Sequence, residues 1–464
     1  MTLRLRAQWV LPITGPPIGN GEVVVEAGRI AAVRPAPPAV PDARDLGNAI
    51  LMPGLVNAHT HLDYTVMRGA LEDRPFFAWV RALVACKTVL DPEDWLASAT
   101  FGAAEAVAGG ITTVGDCTDS GAALHAAIAL GLSGVIYQEV FGIDESRTVD
   151  AIMTELRGKV ERMQSDATGT ALTIGISPHA PYTVRPALFR ALADYARGAQ
   201  LPLCIHAAES RAEQELLQAG AGPIARMFAR RGIAWQAPGV STIAYLDAQG
   251  VLGPHTLLVH GVQVTEADRA LWRERGAAWA HCPKSNAKLG NGVAPLTLLA
   301  GRDDPTDCPR VGLGSDSVAS NNTMDLFEEM RVAVLLQRAV QQDVGALTAR
   351  EIVEMATLGG ARALGMDAQA GSLEPGKRAD LCAVCPGALH GVPVYDPYST
   401  LVYTARASDV MLTMIGGEIR YDATRGNRIE DRFPHLDLRP IRRRLDVAAR
   451  KIRARYPFDT EVTS

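Results

Sequence analysis

The stretch MPGLVNAHTHLD, residues 52–63, ends an apolar run from Ile50 to Val56 and delivers His59 and His61 two positions apart. In a strand, residues i and i+2 point to one face, so both imidazoles can reach a single ion. Zinc accepts neutral imidazole at about 2.0–2.1 Å and suits such a pair. Two surface histidines would be spelled the same way, so the pair gains its meaning from the chain around it. The apolar run, closed by Pro53-Gly54-Leu55, predicts a buried strand with its chemistry at the far end.

Beyond this segment, short apolar β runs alternate with helical stretches. Ile111 to Val114, Ser133 to Val140, Ala171 to Ile176, Pro202 to His206, Thr256 to His260, Ala278 to His281 and Val311 to Gly314 read as buried strands. Trp95 to Ala108 and Arg185 to Ala196 are examples of the helices between them. Repeated β-then-α units imply a parallel sheet with right-handed crossovers. About eight such units over roughly 310 residues predict an α/β fold of the (β/α)8 TIM type, whose functional residues sit at the C-terminal ends of the strands.

The two chain ends read differently. Leu3 to Val10, Glu22 to Glu26 and Arg29 to Val33 are short β runs separated by glycine turns. A matching late set runs through Ala379 to Val384, Leu401 to Thr404 and Val410 to Ile415, with Gly416-Gly417 as a hairpin turn before Glu418 to Tyr421. Both ends together predict one small β-sandwich. The expected division is 1–53 (sandwich), 54–365 (barrel), 366–425 (sandwich) and 426–464 (a helical tail). In that tail, arginines 439, 442, 443, 444, 450, 453 and 455 interleave with Leu445, Val447, Ala448 and Ile452, as in an amphipathic helix packed on the body or on a neighbouring subunit.

Composition narrows the function classes. The chain has 464 residues, a formal net charge of -5 and 47% hydrophobic residues, ample for a large core. No basic block precedes the tail, which argues against nucleic acid as the main partner. No apolar window is long enough to span a membrane, and the N-terminal residues lack a signal-peptide pattern. Cysteines 86, 117, 204, 282, 308, 382 and 385 are scattered, odd in number and mostly within apolar runs. That usage predicts free thiols in a reducing, cytoplasmic setting, with the Cys382/Cys385 pair read as part of a strand.

Further strand ends carry chemistry. His206 ends Leu203-Cys204-Ile205 and is followed three residues later by Glu209; His260 closes Leu257-Leu258-Val259; His179 follows Ile176-Ser177-Pro178; Asp316 closes Val311 to Ser315. A metal-bound histidine with a carboxylate just beyond it is what water activation needs. A helix-capping role for Glu209 is the plainer alternative. Five strand ends each offering His or Asp are hard to reconcile with structural roles alone, because barrel topology converges them on one mouth.

Together, MPGLVNAHTHLD, SPHAPY, HAAES, VHGV, CPKSNAKLGNG, GLGSDS and the late GSLEPGKRADL resemble the amidohydrolase superfamily across essentially the whole chain. The branch is that of the nucleoside and nucleobase deaminases and the chlorohydrolases. The resemblance implies that His59, His61, His206 and Asp316 hold one divalent metal, Zn2+ or else Fe2+. It implies that Glu209 shuttles protons, that His260 and Asp316 assist the attack, and that His179 touches substrate. The strand before His179, ALTIGIS, lacks the lysine that two-metal members carboxylate.

Within that branch the chain looks most like bacterial aminodeoxyfutalosine deaminases of menaquinone biosynthesis and the S-adenosylhomocysteine/methylthioadenosine deaminases. The implied activity is hydrolytic deamination of an adenine nucleoside with a 5' extension, 6-amino-6-deoxyfutalosine being favoured. A guanine- or cytosine-type deaminase or a chlorohydrolase shares the same frame; a non-catalytic scaffold is the alternative from another class. For a carboxylate-bearing 5' group, Arg68, Arg81, Lys87, Lys284 and Lys288 are candidate cations. Phe76, Phe77 and Trp79 could stack on a ring or plug the core. Expected partners are a small-molecule substrate and, as one arrangement, a second copy in a homodimer, with neither nucleic acid nor membrane.

Overall fold

A computed structural model describes residues 2–38, 42–299, 310–387 and 389–455; Cys308 lies outside the described residues. Two eight-stranded sheets organise it. The first is mixed and drawn from both chain ends: β1 (Thr2–Val10), β2 (Ile18–Glu26), β3 (Arg29–Pro35), β4 (Ala43–Asp45) and β5 (Ile50–Pro53). The second is parallel and runs in chain order: β6 (Leu55–Thr60), β7 (Ile111–Thr118), β8 (Ser133–Val140), β9 (Leu172–Pro178), β10 (Leu203–Ala207), β11 (Thr256–His260), β12 (Ala278–His281) and β13 (Val311–Leu313). The late strands β14 (Leu381–Val384), β15 (Val410–Ile415) and β16 (Glu418–Asp422) return to the first sheet, where β14 pairs antiparallel with β5.

The apolar run before the histidine pair is therefore not one strand. It breaks at Gly54, whose N–H donates to Asp380 O at 2.9 Å, and the chain crosses from one sheet to the other there. A Cβ at Gly54 would lie 2.1 Å from Thr112 Oγ1, so only glycine allows the crossing so close to β7. The parallel sheet closes into a barrel through a clasp between its first and last strands. Asn57 Nδ2 donates to Ser315 Oγ at 2.7 Å, the Ser315 N–H donates to Asn57 Oδ1 at 2.9 Å, and the Asp316 N–H donates to His59 O at 3.0 Å. Each barrel strand is buried almost throughout, as a parallel sheet jacketed by helices requires.

One expected strand is a helix. Of Leu401 to Thr404, the first three residues close the Pro397–Tyr403 helix and Thr404 follows it, although these β-branched and aromatic residues read as β. Asp396 caps that helix by accepting the N–H groups of Tyr398 and Ser399 at 3.2 and 3.0 Å, and Pro397 takes the first turn. Tertiary packing of Tyr398, Leu401 and Val402 then outweighs local propensity. The basic tail forms the Leu438–Arg455 helix, packed on the Pro92–Ala108 helix. Arg444 and Lys451 pair there with Asp91 and Asp94, at 2.6–2.8 Å.

Candidate metal centre and active site

At the C-terminal mouth of the barrel, His59, His206, His260 and Asp316 bring one ligand atom each within 4.8 Å of one another. His61 joins them: its Nε2 lies 3.3 Å from His206 Nε2 and 3.6 Å from Asp316 Oδ1. His59 Nε2 stands 3.5 Å from Asp316 Oδ1. Ligands bound at about 2.0–2.1 Å around a tetrahedral ion are separated by roughly 3.3–3.4 Å, so these spacings suit one divalent cation. His59 Nε2 is fully buried and has no hydrogen-bond partner among the described residues, as expected of an atom meant for a metal.

The surroundings set the charges of these groups: burial would lower His59, but Asp316 and Cys204 beside it raise it to about 10, so binding a cation would displace its proton. His206 Nδ1 pairs with the carbonyl of His179 at 3.0 Å, so the ring carries its proton there and presents a bare Nε2. Burial and the neighbouring imidazoles hold His206 well below the usual histidine range, and burial takes His61 down to about 3. Both are thus neutral, as ligands must be. Burial alone would push Asp316 up, but the adjacent His59, His260 and His61 hold it well below the ordinary carboxylate range. Its second oxygen accepts the hydroxyls of Ser285 at 2.5 Å and Ser320 at 2.9 Å.

The mouth is also strained. Ala208, His260 and Asp316 have φ of 52°, 76° and 55°, a left-handed conformation that non-glycine residues adopt at a cost. A buried carboxylate holds one of these bends: Glu213 accepts the N–H groups of Ala208 and Glu209, each at 3.0 Å, and the Thr242 hydroxyl at 2.9 Å. The helix after β10 is capped by Ser210, not by Glu209. That frees Glu209, whose carboxyl receives Asn291 Nδ2 at 3.2 Å and the Tyr182 hydroxyl at 3.4 Å and lies 3.9 Å from His260 Nε2. Burial raises Glu209, opposed by His260, which makes it a better proton acceptor than an exposed glutamate. His260 in turn is oriented through Nδ1 by Asn286 Oδ1 at 2.9 Å.

His179 stands beside the cluster, its ring centroid 4.6 Å from that of His206. Two other candidates do not reach it. Arg68, expected to contact substrate, pairs with Glu105 and lines a groove with Ile429, Phe433 and Leu438. Trp79, expected either to stack on a substrate ring or to plug the core, is buried, donates to Ala319 O at 3.3 Å and stacks on Phe76. The remaining cations are paired or turned to solvent. Lys87 meets Asp119 at 2.5 Å, Lys288 meets Glu72 at 2.7 Å, Lys284 pairs with Glu328 rather than Glu329, and Arg81 is exposed.

Sequence reading missed Glu139, Asn286, Asn291 and the positioning role of Glu213. Asn286 and Asn291 stand in the quoted CPKSNAKLGNG motif, so their position was on view but their partners were not. Glu139 stands one residue from the end of the buried strand SGVIYQEV, where a buried charge was itself a signal.

Comparison with known proteins agrees with this geometry. The amidohydrolase family profile matches residues 50–420. A curated relative from Syntrophobacter fumaroxidans, named 5-methylthioadenosine/S-adenosylhomocysteine deaminase, is 36% identical over 408 residues, covering 86% of this chain and 87% of the relative. One of the same name from Symbiobacterium thermophilum is 33% identical over 423 residues, covering 89% and 92%. Among solved structures, a zinc-bound adenosine deaminase from Xanthomonas campestris superposes with TM-score 0.83 at 29% identity, covering 97% of this chain and 98% of that one. A zinc-complexed atrazine chlorohydrolase from Arthrobacter aurescens shares the fold, with TM-score 0.81 at 22% identity over 96% and 100% of the two chains. With its barrel, its convergent histidines and aspartate, and a matching profile over most of its length, the chain belongs to the amidohydrolase family and is a hydrolytic enzyme.

Proposed function

We propose that this protein is a metal-dependent deaminase of adenine nucleosides carrying a 5' extension, releasing ammonia and leaving a 6-oxo purine. The observation that carries this reading is Glu209, buried and held between Tyr182, Asn291 and His260 at the edge of a five-residue cluster suited to one divalent cation. Deaminase names among relatives that cover most of the chain support the adenine nucleoside.

His59, His61, His206 and Asp316 would hold the ion, and Zn2+ is favoured by the zinc-bound neighbour and by the neutral imidazole donors. When bound, it supplies Lewis acidity that brings the pKa of water toward about 7. Glu209 takes the proton from the attacking water and delivers it to a ring nitrogen of the substrate, making the amidine carbon electrophilic; the exocyclic amine leaves as ammonia once it has received the second proton. His260, fixed by Asn286, hydrogen-bonds the oxygen that develops at the attacked carbon. Asp316 keeps one oxygen on Ser285 and Ser320 and the other toward His59 and His61, available to relay the second proton. His179 lies where it can contact the purine next to the attacked carbon.

For the 5' group, an uncharged extension such as methylthio suits the mouth better than a carboxylate. Lys87, Lys284 and Lys288 are each neutralised by an acidic neighbour, and Arg68 faces elsewhere. Ammonia release across adenosine, 5'-methylthioadenosine, S-adenosylhomocysteine, 6-amino-6-deoxyfutalosine, guanine and a chlorotriazine tests the reading. The highest kcat/KM is expected on 5'-methylthioadenosine. Turnover confined to guanine or the triazine would refute an adenine nucleoside substrate, and a preference for 6-amino-6-deoxyfutalosine would refute the uncharged 5' group.

A further inference from the structure

One buried carboxylate at the mouth has no part in the chemistry above. Glu139 is the penultimate residue of β8, the third barrel strand, and its side chain is 1% exposed. Its Oε2 has no hydrogen-bond partner among the described residues, which is costly for a buried carboxyl unless something else satisfies it. The other oxygen, Oε1, lies 3.9 Å from His179 Nε2, too long for a direct hydrogen bond. His179 Nδ1 is already engaged by the Thr183 hydroxyl at 2.9 Å, so its Nε2 and the Glu139 carboxyl face the same space. A ring nitrogen of His206 lies within 4.8 Å of both, so that space borders the reaction centre. Phe141, 40% exposed, covers His179 at 4.8 Å between ring centroids and gives the space an apolar wall.

A second divalent cation on Glu139, His179 and His206 is one occupant to weigh. His206 cannot serve it: Nδ1 is bound to the His179 carbonyl and Nε2 faces His61. Two donors remain, fewer than a cation site needs. Lys87 does not fill the role of partner either, since its ammonium is held by Asp119 and the Tyr64 hydroxyl at 2.5 and 3.1 Å.

We propose that Glu139 Oε2, together with His179, is the specificity-determining subsite that accepts a hydrogen bond from a hydroxyl of the nucleoside's sugar. This rests on the deaminase reading above and adds the substrate feature read beyond the purine. In either protonation state one carboxyl oxygen accepts, so the subsite selects a hydrogen-bond donor.

The test compares wild type, E139L and E139Q, each metal-loaded, on adenosine and 2',3'-dideoxyadenosine by ammonia release. Leucine removes the acceptor at similar volume, and glutamine leaves a neutral one. Wild type is expected to prefer adenosine in kcat/KM by roughly ten- to hundredfold, the cost of leaving a buried acceptor without its donor. That preference should fall below about threefold in E139L and partway in E139Q, with dideoxyadenosine turned over nearly as before. An unchanged preference in the variants overturns the subsite, as does an equal loss on both nucleosides, which assigns Glu139 a structural role. Loss of a second metal equivalent in E139L overturns it in favour of a cation. Wild type that deaminates neither nucleoside but acts on another amidine overturns the functional reading, and the subsite with it.

Discussion

Replacing Glu209 by glutamine isolates the proton transfer on which the mechanism depends. The change keeps the shape of a buried side chain and the contacts that hold it. Asn291 Nδ2, now 3.2 Å from Oε1, still finds a carbonyl oxygen, and the Tyr182 hydroxyl, 3.4 Å from Oε2, can accept from the new amide. Burial that raises the glutamate no longer acts on a neutral amide, so stability should change by less than about 1 kcal/mol. What is lost is the proton acceptor. A positioned general base contributes about 10²–10⁴-fold, and a carboxyl so fully enclosed belongs in the middle of that range or above. The expected loss in kcat is therefore roughly 10³-fold, about 4 kcal/mol of barrier, with metal content and Tm unchanged. Because burial raises Glu209, the wild-type acidic limb should lie above the ordinary glutamate range: activity is present above that folded value and is lost as pH falls through it. The limb should vanish in the variant. Steady-state kinetics from pH 4 to 9, metal analysis and thermal melts on one preparation decide the matter. A fully loaded variant that keeps more than about a tenth of wild-type kcat would refute the proton-shuttle assignment.

Ser285→Ala removes the shorter of two hydroxyl donors to Asp316 Oδ2 and should weaken metal affinity about 10–100-fold, read by competition with a chromogenic chelator. Chelation should abolish activity and lower Tm; comparing Zn2+ with Fe2+ in restoring both identifies the preferred ion. Asn57→Ala opens the clasp between the first and last barrel strands and leaves the Ser315 N–H buried without its partner, which should cost about 2–4 kcal/mol in denaturant unfolding. In the tail, an Arg444→Ala/Lys451→Ala variant should expose the Leu438–Arg455 helix to limited proteolysis without changing kcat. The hydrogen bond from Lys451 holds Asp91 well below the ordinary aspartate range, so this clasp should persist in wild type at the usual aspartate pKa and open only at lower pH.

Strand periodicity alone placed most of the barrel, because buried parallel strands are written as continuous apolar runs that helices separate. Thr256–His260 and Ala278–His281 appear where the sequence puts them, and Val410–Ile415 and Glu418–Asp422 flank the expected glycine turn. Leu401 to Thr404 failed because a capped helix and a short β run share the same apolar spelling, and only packing separates them. The histidines proposed as ligands could be picked out because each stands at or just past the end of a strand, and strand ends in a barrel share one mouth.

Sequence by itself thus determined that His59 and His61 share a face and that Glu209 follows a strand-end histidine. It could not say that Ser210 would take the helix cap and leave Glu209 free. Nor could it show that Arg68 turns toward Glu105, or that Glu139 comes to lie beside His179 although 40 positions separate them. Those outcomes depend on which strands become neighbours and which charges meet. Local spacing carries periodicity and motif, whereas a buried carboxylate acquires its partner, or lacks one, only when the barrel closes.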